Sequence, residues 1–263
     1  MSAVLQPDSP LLLRDDREGI ATLTMNRPQQ MNLLTDEMID ALQSAFDAIA
    51  LDPGVRVVVL AGAGKGFCAG HDLKEIRALG DQPKIVALFD KCSRMMQTIM
   101  NLPQPVIARV HGAAAAAGCQ LVAQCDLAVA SEMARFAAPG VNWGFFCSTP
   151  GVPLGRNLQR KHAMEMLLTG DAIGAQQALE WGLLNKVVAA GELDAAVADL
   201  ARRIAAKPPA TVAAGKRAFY RQMDLGIAPA YDLASETIAA SFAHPQGREG
   251  MDAFIEKRKP EWK

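Results

Sequence analysis

The sequence predicts an α/β fold whose C-terminal part turns helical. Two observations predict it. From Leu11 to Ser131, short apolar runs suited to buried strands alternate with helical spacing, and 106–131 in particular reads strand, turn, helix, strand. That alternation signals parallel pairing. From Leu158 the pattern is helical to the end, broken only by Gly170, the strand-like Asn185–Val188 and Pro208-Pro209. An α/β core over residues 1–200 and a helical region over 201–263 follow.

In chain order, Met1–Pro10 is expected to be a loose tail. Leu11–Asp16 and Ile20–Met25 read as a hairpin across Arg17-Glu18-Gly19. Thr35 is a candidate N-cap for a helix to about Ala50, with Met38, Ile39, Leu42, Phe46 and Ile49 at helical spacing. Asp52-Pro53-Gly54 turns into a strand, Val55–Leu60, followed by a glycine-rich loop and a helix from about Leu73. A long helix is expected from about Lys84 to Asn101. Val106–Val110 is a short apolar run flanked by Pro103 and Pro105, which suits a strand better than a helix. His111-Gly112 is a turn, Ala115 to about Gln124 a helix, Asp126–Ala130 a second buried strand. Phe136-Ala137 is a short strand before a loop over Pro139–Gly155.

At 263 residues the chain is long enough for a large core. Half the residues are hydrophobic and the formal net charge is -1, without long basic or acidic runs. That composition argues against nucleic acid or an anionic membrane as the main partner. No apolar stretch is long enough to span a bilayer, and no signal or transit sequence is recognisable at the start. The five cysteines form no CxxC pair, which fits reduced thiols and a cytoplasmic location. Histidines and cysteines never approach metal-ligand spacing. Gly62-Ala63-Gly64-Lys65-Gly66 lacks the spacing and the hydroxyl of a phosphate-binding loop.

A turn made only of glycine and alanine at the start of a helix brings backbone very close to something else. It also aims unpaired N–H groups and the positive helix end at it. Tight helix–strand packing and a ligand site both fit that feature. Phe67-Cys68-Ala69-Gly70-His71-Asp72-Leu73-Lys74-Glu75 and His111-Gly112, five alanines, Gly118-Cys119-Gln120-Leu121 with Cys125-Asp126 resemble the two signature segments of the crotonase superfamily, which includes enoyl-CoA hydratases and isomerases. The resemblance continues through Asn26-Arg27-Pro28, Met164–Gly170 and Arg248–Arg258, nearly the whole chain. The alanine run together with Pro139–Val152 is most similar to one branch, the enoyl-CoA hydratase domain-containing protein 3 type.

The resemblance implies a crotonase (ClpP-like) spiral of ββα units with a C-terminal helical trimerisation region, assembled as homotrimers or homohexamers. It implies an acyl-CoA thioester as substrate, with coenzyme A as part of that substrate and no permanently bound cofactor. It places two backbone donors for the thioester oxyanion at the N–H of His71 and of Ala117. Ala69, His71, Asp72 and Leu73, with Arg27 and the segment 29–33, would line the adenine pocket. Phe254 and Lys257 match the adenine- and phosphate-contacting pair, although Lys257 in Lys-Arg-Lys also reads as a solvated charge.

The departures are at Gln120 and Gly140, where hydratases of the family carry glutamates acting as general base and acid. An amide exchanges no proton at neutral pH and glycine has no side chain. At Ala117, hydratases commonly carry glycine; the donor survives if the local φ suits a Cβ. Cys147 and Ser148 lie in the unusual loop as hydrogen-bonding groups, as a nucleophile or simply as loop-shaping residues. The His71 ring, the motif's one group with a pKa near neutrality, is expected to point outward. Enolate stabilisation with little acid–base help suits thioester hydrolysis or decarboxylation; the alternative is a non-catalytic acyl-CoA-binding or scaffolding protein.

Overall fold

The computed structural model describes residues 9–262, so the tail expected over Met1–Pro10 lies almost wholly outside the described residues. β1 (Leu12–Arg17) and β2 (Ile20–Met25) form the expected antiparallel hairpin. Its turn residues Glu18 and Gly19 both have positive φ, 51° and 76°, a geometry that matches the strand twist. α1 (Asp36–Ala50) starts where expected, because the Thr35 side chain accepts the Met38 N–H, and it buries Met38, Ile39, Leu42, Phe46 and Ile49. β3 (Val57–Gly62), α2 (Leu73–Leu79), α3 (Gln82–Asn101) and β4 (Val106–Val110) follow.

Next come β5 (Ala113–Ala115), α4 (Ala117–Gln124), β6 (Leu127–Ser131) and β7 (Arg135–Ala137). The helix expected from Ala115 is therefore shorter, and the alanines before it form a strand. Ala113–Ala115 pairs parallel with Arg135–Ala137, and the Ala115 N–H donates to the Cys68 carbonyl at 2.9 Å. Backbone pairing on both sides overrides the helix preference of alanine. The loop expected over Pro139–Gly155 is also corrected. A 3₁₀ turn spans Pro139–Trp143, and α5 (Ser148–Asn157) contains Pro150, Gly151 and Pro153. Pro150 falls in the first turn, where no intrahelical donor is required.

α6 (Arg160–Thr169), β8 (Ile173–Gly174), α7 (Ala175–Glu180), β9 (Lys186–Val188), α8 (Leu193–Ala205), α9 (Pro209–Gln222), α10 (Ile227–Ala243) and α11 (Pro245–Ile255) complete the chain. The main sheet runs β1-β2-β3-β4-β6-β9, parallel beyond the first pair, and a small sheet runs β5-β7-β8. The central strands are buried on both faces, as parallel strands are. On β3, Val57 and Val59 face α8 through Leu193, Val197 and Ala201. Val58 and Leu60 face the larger core with α1 and α3.

A buried ion pair ties the C-terminal helices to this sheet. Lys216 of α9, only 6% exposed, donates to Asp126 Oδ2 at 2.6 Å and to the carbonyls of Ile99 and Gln104. Asp126 also accepts the Val106 N–H and the Tyr220 hydroxyl. Every charge in this knot is thus met by several partners, the condition under which a buried pair holds. Further out, α9–α11 expose Phe219, Tyr231, Ile238, Phe242 and Phe254.

Candidate active site

The two loops carrying the signature segments meet backbone to backbone. Phe67 and Cys68 donate to the Ala113 carbonyl, and an added Cβ on Gly118 would lie 2.0 Å from the Cys68 carbonyl oxygen. Only glycine permits so close an approach. Gly70, at φ +93°, continues it: a Cβ there would sit 2.9 Å from Ala116 Cβ and 3.1 Å from the Ala117 nitrogen. The chain from Ala69 to His71 therefore lies against the first residues of α4. Among the described residues, no protein acceptor outside regular helix and strand pairing takes the N–H of His71 or of Ala117. Both residues line one cavity of about 650 Å³.

The condition set on Ala117 is met, because it is the first helical residue and its φ is not left-handed. The strain falls one residue earlier. Ala116 has φ 50° and ψ -119°, a conformation that costs a residue with a Cβ about 1–3 kcal/mol. Its N–H is held by the Ala137 carbonyl at 2.9 Å, so the bend that frees the Ala117 N–H is pinned by the small sheet.

His71 does not point outward. Its ring packs on Phe89 of α3 with centroids 4.8 Å apart, and its Nε2 is buried with no partner. Burial lowers its pKa to about 4, so the ring is neutral near pH 7 and cannot serve there as a protonated acid. The unfolded chain takes up this proton at the ordinary value of 6.5 and the folded chain only near 4. Stability therefore rises with pH between those two values and is flat above them. An NMR titration of the His71 ring is expected to show a midpoint near pH 4; a midpoint at 6.5 would show a solvated ring.

Gln120 lies in α4, 4% exposed, with Oε1 unpartnered. Gly140 borders the cavity, and its N–H donates to Cys147 Sγ at 3.3 Å. A Cβ at residue 140 would come 2.6 Å from the Phe145 carbonyl oxygen and 2.9 Å from Cys147 Sγ. The loop has thus closed over the space a side chain would need. Burial raises the Cys147 pKa, so its thiol stays protonated and is a poor nucleophile. Ser148 opens α5 beside it, its hydroxyl near the Phe146 carbonyl at 3.4 Å. Both border the cavity.

Ala69 and Leu73 also line the cavity. Asp72 caps α2, accepting the Lys74 N–H at 2.8 Å. The Arg27 guanidinium is engaged elsewhere, donating to the carbonyls of Ser9, Pro10 and Asn26. Phe254 is 85% exposed near the end of α11, with Lys257 just beyond it, and neither borders the cavity. Sequence reasoning missed the apolar lining contributed by Ile76, Ile85 and Phe89 on α2 and α3 and by Trp143, Phe145 and Phe146. The cluster of three aromatics in a Pro/Gly-rich loop was the available signal.

A model of the enoyl-CoA hydratase/isomerase family matches residues 15–263. Enoyl-CoA hydratase domain-containing protein 3, mitochondrial, of Xenopus laevis is 46% identical over 254 residues, covering 97% of this chain and 86% of the relative. An enoyl-CoA hydratase crystal structure from Mycobacterium smegmatis superposes with a TM-score of 0.95 at 54% identity, covering 97% of this chain and 99% of that one. The human domain-containing protein 3 structure gives 0.94 at 43%, covering 96% and 100%. These matches bear out the crotonase fold and the branch read from the signature segments. The cytoplasmic expectation is overturned, because the domain-containing protein 3 relatives from frog, mouse and human are named mitochondrial.

Proposed function

The chain belongs to the enoyl-CoA hydratase/isomerase family, and we propose that it binds an acyl-CoA thioester with the carbonyl oxygen between the N–H groups of His71 and Ala117. One observation carries this reading. Gly70 lacks the Cβ that would cover the Ala117 nitrogen, and among the described residues the two N–H groups border one cavity without a protein acceptor from outside regular helix or strand pairing. When a proton or carboxylate leaves the α-carbon, its electron pair delocalises onto that oxygen; when a nucleophile adds to the carbonyl, the same oxygen takes the charge. Preorganised donors stabilise it in both cases, by about 3–4 kcal/mol each in comparable sites. The start of α4 adds positive potential there.

Gln120 and Gly140 supply neither a base nor an acid, so hydration by two carboxylates is unsupported. Reactions that ask for carbonyl polarisation and little side-chain proton transfer, thioester hydrolysis or decarboxylation, suit the site better. A second reading, binding without turnover, is favoured by the side chains around the cavity: the Cys147 thiol is held protonated, and among the described residues no carboxylate lines the space. The coenzyme A moiety would run along Ala69–Leu73. Phe254 and Lys257 would reach it from a neighbouring subunit of a trimer or hexamer, whose contacts the exposed aromatics of α9–α11 would supply.

Calorimetric titration with acetyl-CoA beside a crotonyl-CoA hydration assay tests this. Binding with no hydration above background is expected. Absence of binding would remove the thioester reading, and fast hydration would mean that another group carries the proton.

A further inference from the structure

We infer that Ala116 is a positioning residue whose methyl group sets the gap between the two carbonyl donors, an inference that rests on the thioester reading above. Ala116 has φ 50° and ψ -119°, the angles a type II′ turn asks of its first central residue, where glycine is the default. Glycine adopts them without strain. Stability alone therefore favours glycine at residue 116, and the reason for a methyl group there lies in what it touches. It rests against Gly70, where an added Cβ would come within 2.9 Å of it, and Ala116 borders the cavity. The segment that carries the His71 N–H thus leans on Ala116, and the Ala117 N–H is the next donor along the chain.

Both backbone polar groups of Ala116 are held. Its N–H donates to the Ala137 carbonyl at 2.9 Å, and its carbonyl accepts the Gln120 N–H at 3.0 Å. A residue stays in a sparsely populated conformation only where its surroundings over-determine it, and at functional sites the strain belongs to the working geometry. Removing the methyl group leaves space between Gly70 and the start of α4. The two segments can then close up or slide, so that the two donors no longer aim at one oxygen. Hydrogen bonds weaken steeply as they bend.

The test compares Ala116→Gly with Glu18→Gly, both in the full chain. Glu18 also has positive φ, 51°, but lies in the β1–β2 turn. Calorimetric titration with acetyl-CoA and with S-ethyl-CoA, which has a methylene in place of the carbonyl, gives a ratio that reads carbonyl recognition alone. Ala116→Gly is expected to lower the preference for acetyl-CoA by about fivefold with no fall in melting temperature. At a residue of ordinary φ the same substitution lowers it, because glycine loses more backbone freedom on folding. The stretching frequency of an isotope-labelled acetyl-CoA carbonyl, which drops as donors polarise it, should drop less in Ala116→Gly than in the wild type. Glu18→Gly should leave both the ratio and the carbonyl frequency unchanged. An unchanged ratio in Ala116→Gly, or a fall in its melting temperature, makes Ala116 an ordinary packing residue; it overturns this inference and leaves the thioester reading standing. Equal affinity of the wild type for the two compounds overturns both.

Discussion

Gly70→Ala is expected to lower acyl-CoA affinity, and any thioester turnover, by at least about a hundredfold while the chain remains folded. Two effects act together. At φ +93° a residue with a Cβ is strained, by about 1–3 kcal/mol. The new methyl would also lie 3.1 Å from the Ala117 nitrogen and 2.9 Å from Ala116 Cβ, so it would occupy the place of the carbonyl oxygen or push α4 away from it. Ala116 is already in a left-handed conformation and has little room to yield. Gly182→Ala is the matched control. Gly182 has φ +92° and its added Cβ meets only the Asn157 carbonyl at 3.4 Å, so it carries the same backbone strain away from the cavity. Calorimetry on both variants, beside circular dichroism, separates the effects. Undiminished affinity in Gly70→Ala would show that the ligand does not use the Ala117 N–H.

Lys216→Ala is expected to destabilise the fold by about 3–5 kcal/mol. Its partner Asp126 is 14% exposed on the side chain and would keep a charge in a buried place, while the Ile99 and Gln104 carbonyls would lose their donor. For a chain of this size about 2–4 °C of melting temperature follows each kcal/mol, so a fall of roughly 10 °C should appear in a thermal melt. Adding Asp126→Asn to Lys216→Met should recover part of that loss, since the amide oxygen can still accept from Tyr220 or Val106 and no charge is left unpaired. A loss below about 1 kcal/mol in Lys216→Ala would show that water reaches Asp126 freely.

How legible each feature was depends on whether its cause is local. α1 could be read from Thr35 and its apolar spacing because cap and stripe lie within the helix itself. The β1–β2 hairpin declared itself in Arg17-Glu18-Gly19, which the structure tightens to a two-residue turn of Glu18 and Gly19. Ala113–Ala115 could not be recognised as a strand, since what makes it one is Arg135–Ala137 and the Cys68 carbonyl. α5 was hidden behind Pro150, Gly151 and Pro153, which mark loops elsewhere. At the site, the positions of His71, Ala117 and Gln120 were visible in the signature segments, and that of Gly140 in the loop that follows them. The inward turn of the His71 ring depends on Phe89 in another helix, and the closure of residue 140 on Cys147 depends on a loop conformation. Neither leaves a mark in local spacing.

The strand order of the main sheet has a consequence for how the chain is made. Reading β1-β2-β3-β4-β6-β9, each new strand joins the edge left by the one before it, in the order a ribosome would deliver them. The sheet can therefore assemble during synthesis without a strand having to insert between two already paired. The edge of β6 waits longest: it pairs only with Lys186–Val188, on the order of several seconds later at about 5–20 residues per second. During that interval Leu127–Ser131 presents an unpaired apolar edge. The nascent chain is most exposed to mispairing and to chaperone capture there, between emergence of β6 and arrival of β9.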